Sequence, residues 1–393
     1  MSCTRVGRLI FVVGLALGLL AMGSWAQGQP PCTVTVKLGE SIQKAIDQAA
    51  EGAIICLTAG RWEENLVITK GLVLQGRGKE PDEVQIAGAE EGHPVMRIEG
   101  KREIEVVIEN LMAAAAEGRR CAMYEPQLIC PDGLQVLGKA KVIIRNARIS
   151  GNRGGLWVEG LAQVSLTNST VSYNGWAGLA VSDSARVSLS HSTVSNNEWA
   201  GLFVTDSATV SITNSTVSSN EFAGLFIINL ARVSLTNSTA SDNAIGFFVV
   251  DSATVNLSHS TVSDNVIGLL VADLTTVSVT NSIVSDNRSS GFSVSGSATV
   301  KVKESKISGN KGHGIFLWEK VVAEIWENRI FNNWGYGVAL FREGCVVSYD
   351  SRHEFVGQVT GKDNTIPGRV KPEGNKQGDV CPADYPWPPG FRK

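Results

Sequence analysis

Nine asparagines, Asn152, Asn174, Asn197, Asn220, Asn243, Asn265, Asn287, Asn310 and Asn333, recur every 22 or 23 residues, and each is followed within four residues by a glycine. A fixed period of this length is the signature of a solenoid, in which one supersecondary unit stacks on copies of itself. Within a repeat the apolar residues alternate: Leu179 and Val181 follow the glycine, Val187 and Leu189 follow a short Asp-Ser-Ala turn, and Val194 stands alone before the next asparagine. A period of two means strands. The next repeat supplies Leu202, Val204, Val210, Ile212 and Val217 at the same places, so like stacks on like if each repeat is one coil of three short parallel strands. One coil cannot bury its own apolar side chains. Nine, at about 4.8 Å each, make a rod about 40 Å long with a continuous core.

Polar residues repeat inside this pattern. Ser169, Ser192, Ser215, Ser238, Ser260, Ser282 and Ser305 precede the lone apolar residue by two, where alternation turns them inward, and Asn328 takes that place in the eighth unit. A stacked hydroxyl or amide that bonds its copy one coil above escapes most of the desolvation cost. The asparagines before the glycines are expected either to stack likewise or to supply the left-handed backbone of a sharp corner, which Asn tolerates.

This Gly-x-x-Val and Asn-spaced repeat resembles the right-handed parallel β-helix superfamily with the pectate-lyase-like fold. The resemblance implies an all-β solenoid and leaves the activity open, since that superfamily holds polysaccharide lyases, hydrolases, esterases, epimerases and non-catalytic surface proteins. The expected organisation is a secretory signal at 1–26, a cap and irregular first coils at 27–111 and a projecting loop at 112–133. Regular coils follow at 134–341, and a closing coil and tail at 342–393.

The ends are read separately. Arg5 and Arg8 precede the apolar run 9–22, and Ser24-Trp25-Ala26 is a small-x-small cleavage site, so the mature chain is expected to begin near Gln27 and to be secreted, extracellular or periplasmic. The run is short for a transmembrane span, and nothing later is apolar enough for one. Cys3 leaves with the signal. Six cysteines remain, and proximity in coil order favours pairing Cys32 with Cys56, Cys121 with Cys130, and Cys345 with Cys381. Residues 41–50 place Ile42, Ala45, Ile46 and Ala49 on one helical face behind a Ser41 cap, a plug for the open end of the first coil. That opening is similar to the opening of pectin methylesterases. First-coil strands are expected at 53–57, 65–68, 72–74, 84–86 and 95–98.

Function depends on what faces outward. Trp157, Phe203, Phe226, Phe248 and Phe316 occupy the outward position of the strand after the glycine, and Trp176, Trp199 and Phe222 lie in the adjoining turn. Such an apolar stripe calls for a cover: a polysaccharide, whose sugar rings stack on aromatic faces, a second protein chain, a self-associating copy, or the Trp387 tail. The substrate-binding residues read from the sequence are therefore Trp157, Trp176, Trp199, Phe203, Phe226, Phe248 and Phe316.

Catalytic residues are not evident. The lyase relatives use carboxylate-held calcium and a basic residue, and hydrolases use two neighbouring acids. Gly312-His313-Gly314 resembles a short polygalacturonase motif without the paired aspartates around it. Asp242, Asp264 and Asp286 stack on consecutive coils and are weak candidates for calcium, as are the pairs Asp183/Asp206 and Asp251/Asp273; Asx turns at a hydrated corner explain the same residues. Net charge is −3 with 19% charged residues in no basic patch, which excludes nucleic acid as the main partner. The reading is a secreted, non-catalytic polysaccharide-binding or surface-interaction protein. The alternative is a carbohydrate-active enzyme, a lyase or hydrolase of this fold, with Arg119, Arg120 and Glu125 as the residues then to consider.

Overall fold

The computed structural model describes residues 31–90, 92–115, 132–367 and 374–391. They wind into a right-handed parallel β-solenoid with one helix. Each coil contributes to three columns of parallel strands. The glycine face is typified by Ala200–Val204 on Ala223–Ile227, the middle face by Thr209–Thr213 on Arg232–Thr236, and the serine face by Thr216–Ser218 on Thr239–Ser241. The first two faces form one 25-stranded sheet, because Met96–Glu109 and Leu134–Arg145 run through both, and the serine face is a 12-stranded sheet of its own. Alternation does what the sequence implies: Leu202, Val204, Val210, Ile212 and Val217 are buried in a core that runs from Val36 to Phe391.

The asparagines line up as a ladder. The backbone N–H and the Nδ2 of Asn197 both donate to Oδ1 of Asn220, at 3.1 and 2.9 Å, and Asn220 repeats this on Asn243 at 2.9 and 3.0 Å. All nine are buried. The glycine beside them is dictated by close approach: a Cβ on Gly201 would stand 2.6 Å from the Gly224 carbonyl oxygen and 2.9 Å from Asn220 Nδ2. The second reading of these asparagines is corrected. It is the residue before each one that takes the left-handed backbone, as at Tyr173, Asn196, Ser219, Asp242, Asp264 and Asp286. The other two corners of the coil use one such residue each, for example Asp206 and Asn214. Asn168, Asn214 and Asn237, the first residues of the Asn-Ser-Thr triplets, are exposed corner residues of this kind.

The serines also stack, each bonding its copy in the adjacent coil as expected. Ser192 N–H donates to Ser215 Oγ at 3.1 Å, while Ser192 Oγ donates to the Ser190 carbonyl at 2.9 Å. The hydroxyl thus accepts from its copy's backbone instead of from its hydroxyl. Both ladders outlast the regular repeat: Asn333 bonds Asn375 across 42 residues, and Asn328 bonds Asn364 across 36. Gln358–Lys362 stacks on Val322–Trp326, and Gly378–Cys381 pairs with Tyr336–Leu340, so the closing segment is a further coil with a long insertion.

The ends are plugged. Helix Ile42–Gln48 buries Ile42 and Ile46, with Ala45 and Ala49 packed beside them, as expected. Ser41 caps it through Lys44 N–H, and the Glu64 carboxylate accepts the N–H groups of Ile42 and Gln43, both at 3.0 Å, where an anion meets the positive end of the helix. At the other end the tail does not lie over the surface. Phe391 is buried in the core, Trp387 stacks on it at 5.6 Å, and Trp387 Nε1 donates to the Pro382 carbonyl. The expected cover of the stripe by Trp387 is thereby corrected: that ring belongs to the end cap. Disulfides Cys32–Cys56 and Cys345–Cys381 staple the two terminal coils.

Three boundaries differ from expectation. Val34–Val36 and Gly60–Glu63 are additional strands. Met112–Ala114, read as part of the loop, is a strand of the serine face, because Ala113 is small enough to be buried between Ile86 and Ile149. The proposed signal at 1–26, Cys121, Cys130, Arg119, Arg120 and Glu125 lie outside the described residues. No helix among the described residues is long and apolar enough to cross a membrane.

Candidate functional site

On the glycine face the outward residues of successive coils follow the ladder register. Arg97 aligns with Gln135, then Trp157, Ala180, Phe203, Phe226 and Phe248. The turn before this strand has four residues from asparagine to glycine in the coils that carry Trp176, Trp199 and Phe222, and three in the coils that carry Ile245 and Ile267. The longer turn makes room for the extra rings.

Two columns of rings result. Trp157, Trp176, Trp199 and Phe222 stack with centroids 5.4, 5.1 and 6.0 Å apart and planes within 22°. Phe203, Phe226 and Phe248 form the second column, which meets the first edge to face, as in the 75° contact of Phe226 with Trp199. In the first column the stacking distance is close to the rise of one coil, so its ring planes lie across the rod axis. Their faces are turned on one another and each ring is half-buried. Each contact of this kind contributes about 1 kcal/mol beyond area burial. The first column therefore turns its faces along the rod, while the rings of the second stand at 57–80° to it. Phe316 is not part of this ridge. Leu270 and Ser293 intervene, and Phe316 joins His313, Trp318 and Phe341 in a separate cluster.

Polar groups gather at the N-terminal end of the ridge. Arg97 is paired with Glu99 at 3.2 Å, Gln135 Nε2 donates to Asp132 Oδ2 at 3.1 Å, Gly154 N–H donates to Asp132 Oδ1, and Trp157 Nε1 donates to Glu159. Alternation in the Met96-Arg97-Ile98-Glu99 and Leu134-Gln135-Val136 stretches was the only sequence signal for this group. It places no residue in register with Trp157.

His313 has a structural task. Its Nδ1 accepts the Tyr336 N–H at 3.0 Å, and burial pushes its pKa down from 6.5 to about 4. The unfolded chain takes up this proton first, so the histidine's contribution is complete above about pH 6.5 and is lost as pH falls towards 4. The difference amounts to about 3 kcal/mol. Urea unfolding at pH 7 and pH 4.5 checks it: His313→Asn should flatten that part of the slope, and an equal slope in the variant would refute the assignment.

The acidic corners are held by backbone. Asp206 Oδ2 accepts the Asp183 N–H at 3.1 Å, and Asp273 Oδ2 accepts the Asp251 N–H at 3.2 Å. Asp242, Asp264 and Asp286 are exposed corner residues, and among the described residues no group of three or more His, Cys, Asp or Glu is arranged to hold a metal.

Solved structures share this architecture. The A-module of mannuronan C-5 epimerase AlgE6 from Azotobacter vinelandii superposes with TM-score 0.55 at 17% identity, over 86% of this chain and 90% of its own. The catalytic unit of a GH87 alpha-1,3-glucanase from Streptomyces thermodiastaticus gives 0.59 at 14% identity, over 87% and 70%. The Dettilon tailspike protein gives 0.52 at 10%, over 83% and 68%. At such identities the likeness carries the fold alone. No curated protein matches the chain. The sequence profile described as right handed beta helix region matches residues 98–240, 200–330 and 246–366, and the chain belongs to that family.

Proposed function

We propose that this is an exported, non-catalytic polysaccharide-binding protein whose contact strip is the ridge Trp157, Trp176, Trp199, Phe203, Phe226 and Phe248. The observation that carries the reading is the continuity of a five-coil apolar strip with the polar group Arg97, Glu99, Asp132, Gln135 and Glu159 at one end. A glycan lying along the axis would meet aromatic rings over most of its length and hydrogen-bonding groups at its end. The three carboxylates are each engaged by a protein donor, which favours holding over proton transfer. The two described disulfides fit an oxidising compartment, in keeping with export. Two of the similar structures named above, a mannuronan epimerase module and an alpha-1,3-glucanase unit, support a polysaccharide as the class of ligand.

Affinity electrophoresis through gels containing mannuronan, polygalacturonate or a neutral glucan tests the proposal. One of these polymers should retard the protein, and Trp199→Ala should weaken retardation about tenfold, or about 1.4 kcal/mol. Equal mobility of the variant in every gel would refute the ridge as the contact strip. The gathering of Glu99, Asp132 and Glu159 beside Arg97 favours one second reading, an enzyme acting at that end. Cleavage or epimerisation of the retarding polymer, abolished by Asp132→Asn, would establish it.

A further inference from the structure

A second trough lies on another side of the rod. It begins as a cavity of about 650 Å³ lined by Glu103, Glu105, Lys139, Lys141, Gln163 and Arg186. It continues along the middle face as a shallower one of about 270 Å³ that shares Lys141, Gln163 and Arg186 and adds Ser165, Ser188 and Ser211. The bulge between Gly100 and Ile104 breaks the register of the first long strands here and opens the trough.

Its charges are arranged by the coil repeat. The ladder register places Lys141, Gln163, Arg186, Thr209 and Arg232 in one outward row. A cation therefore stands on every second coil, about 10 Å apart. Lys141 is paired with Glu105, and Glu103 is the trough's other carboxylate. Lys139, Arg186 and Arg232 have no ion-pair partner among the described residues, and all three are exposed. The neighbouring row, Ser165, Ser188, Ser211 and Ser234, offers a hydroxyl on each coil.

We propose that this trough binds a linear anionic polysaccharide lying along the rod axis, its acid groups paired with Lys139, Arg186 and Arg232 and its hydroxyls bonded to the serine row. The two-coil spacing of Arg186 and Arg232, which continues the row beyond the trough, is close to the length of a disaccharide in an extended glycan, so acid groups on alternate sugars meet these two cations, with Lys139 at the trough's deep end. Single exposed ion pairs are weak, and only a ligand that engages several at once is held. The site is independent of the aromatic ridge, which lies on the glycine face.

The test is affinity electrophoresis of the full chain in gels containing polygalacturonate, heparin or dextran, at low and high salt. Polygalacturonate carries carboxylates alone and heparin carries sulfates besides, so retention by heparin only would point to sulfate; retention by either one, weakened by salt, supports the proposal. The double variant Arg186→Thr/Arg232→Thr places at both positions the residue already found at Thr209 and Thr254 of the same row, so the fold is retained. Each lost cation should cost about fivefold in affinity for the polyanion. Trp199→Ala should leave the salt-sensitive part of this retention unchanged, whatever it does to the salt-insensitive part, which separates failure here from failure of the ridge. Unchanged affinity in the double variant, equal retention by dextran, or equally tight binding of duplex DNA would overturn the proposal.

Discussion

Asn220→Ala is expected to lower the unfolding free energy by about 4 kcal/mol, although the residue touches no ligand. Asn220 Oδ1 receives both the backbone N–H and the Nδ2 of Asn197. Both donors are buried where water does not reach, and an orphaned buried donor costs about 1–3 kcal/mol. The backbone N–H of residue 220 still reaches Asn243, so the loss is confined to one rung. Asn214→Ala is the control. Asn214 is exposed and left-handed, so the same chemical change should cost about 1 kcal/mol, the strain of placing alanine there. Denaturant titration of the two variants decides the matter; equal midpoints would mean that the ladder contributes nothing beyond its corners.

Phe391→Ala should cost about 3 kcal/mol, in the range for removing a buried aromatic side chain, but the loss should be local. Phe391 closes the C-terminal end, against Trp387 and the coil that carries Gly361. In a one-dimensional stack, coils contact only their neighbours, so damage at an end frays inward while damage in the middle breaks the array. Hydrogen exchange should show loss of protection in Gln358–Lys362 and Gly378–Cys381 while Thr209–Thr213 keeps its protection. Uniform loss along the rod would contradict nearest-neighbour stability. The disulfide Cys345–Cys381 limits the fraying, since it ties Gly378–Cys381 to the loop after Phe341.

The solenoid was legible because the same side chain performs the same task on each coil. Asn, Ser and Gly recur where a buried amide, a buried hydroxyl and a close backbone approach recur, and the period survives any single substitution. Legibility failed where the period breaks. Asn364 and Asn375 complete the ladders, yet an insertion moves them 36 and 42 residues from their partners, so spacing could not find them. Gln135 stands one repeat before Trp157, but Arg97 aligns with Gln135 only through the pairing of the two long strands, across a segment that breaks the period. Alternation placed Trp157, Phe203, Phe226 and Phe248 in outward register, but a ring's plane is set by its neighbours one coil away, and so the two crossed columns became visible only in three dimensions. In the trough's outward row, Gln163, Arg186 and Arg232 follow the repeat from Lys141 and can be read from spacing, whereas Glu103 and Lys139 lie off that row beside the bulged pairing of the two long strands.

The three left-handed corners leave each turn of the chain directly above the place where the previous turn began. A turn can therefore be removed or copied whole: joining residue 196 to residue 220 sets Asn174 over Asn220, Gly178 over Gly224 and Ser192 over Ser238, each an equivalent of the partner it lost. Such a molecule is graduated like a ruler. Its length changes in steps of about 4.8 Å while its cross-section stays the same.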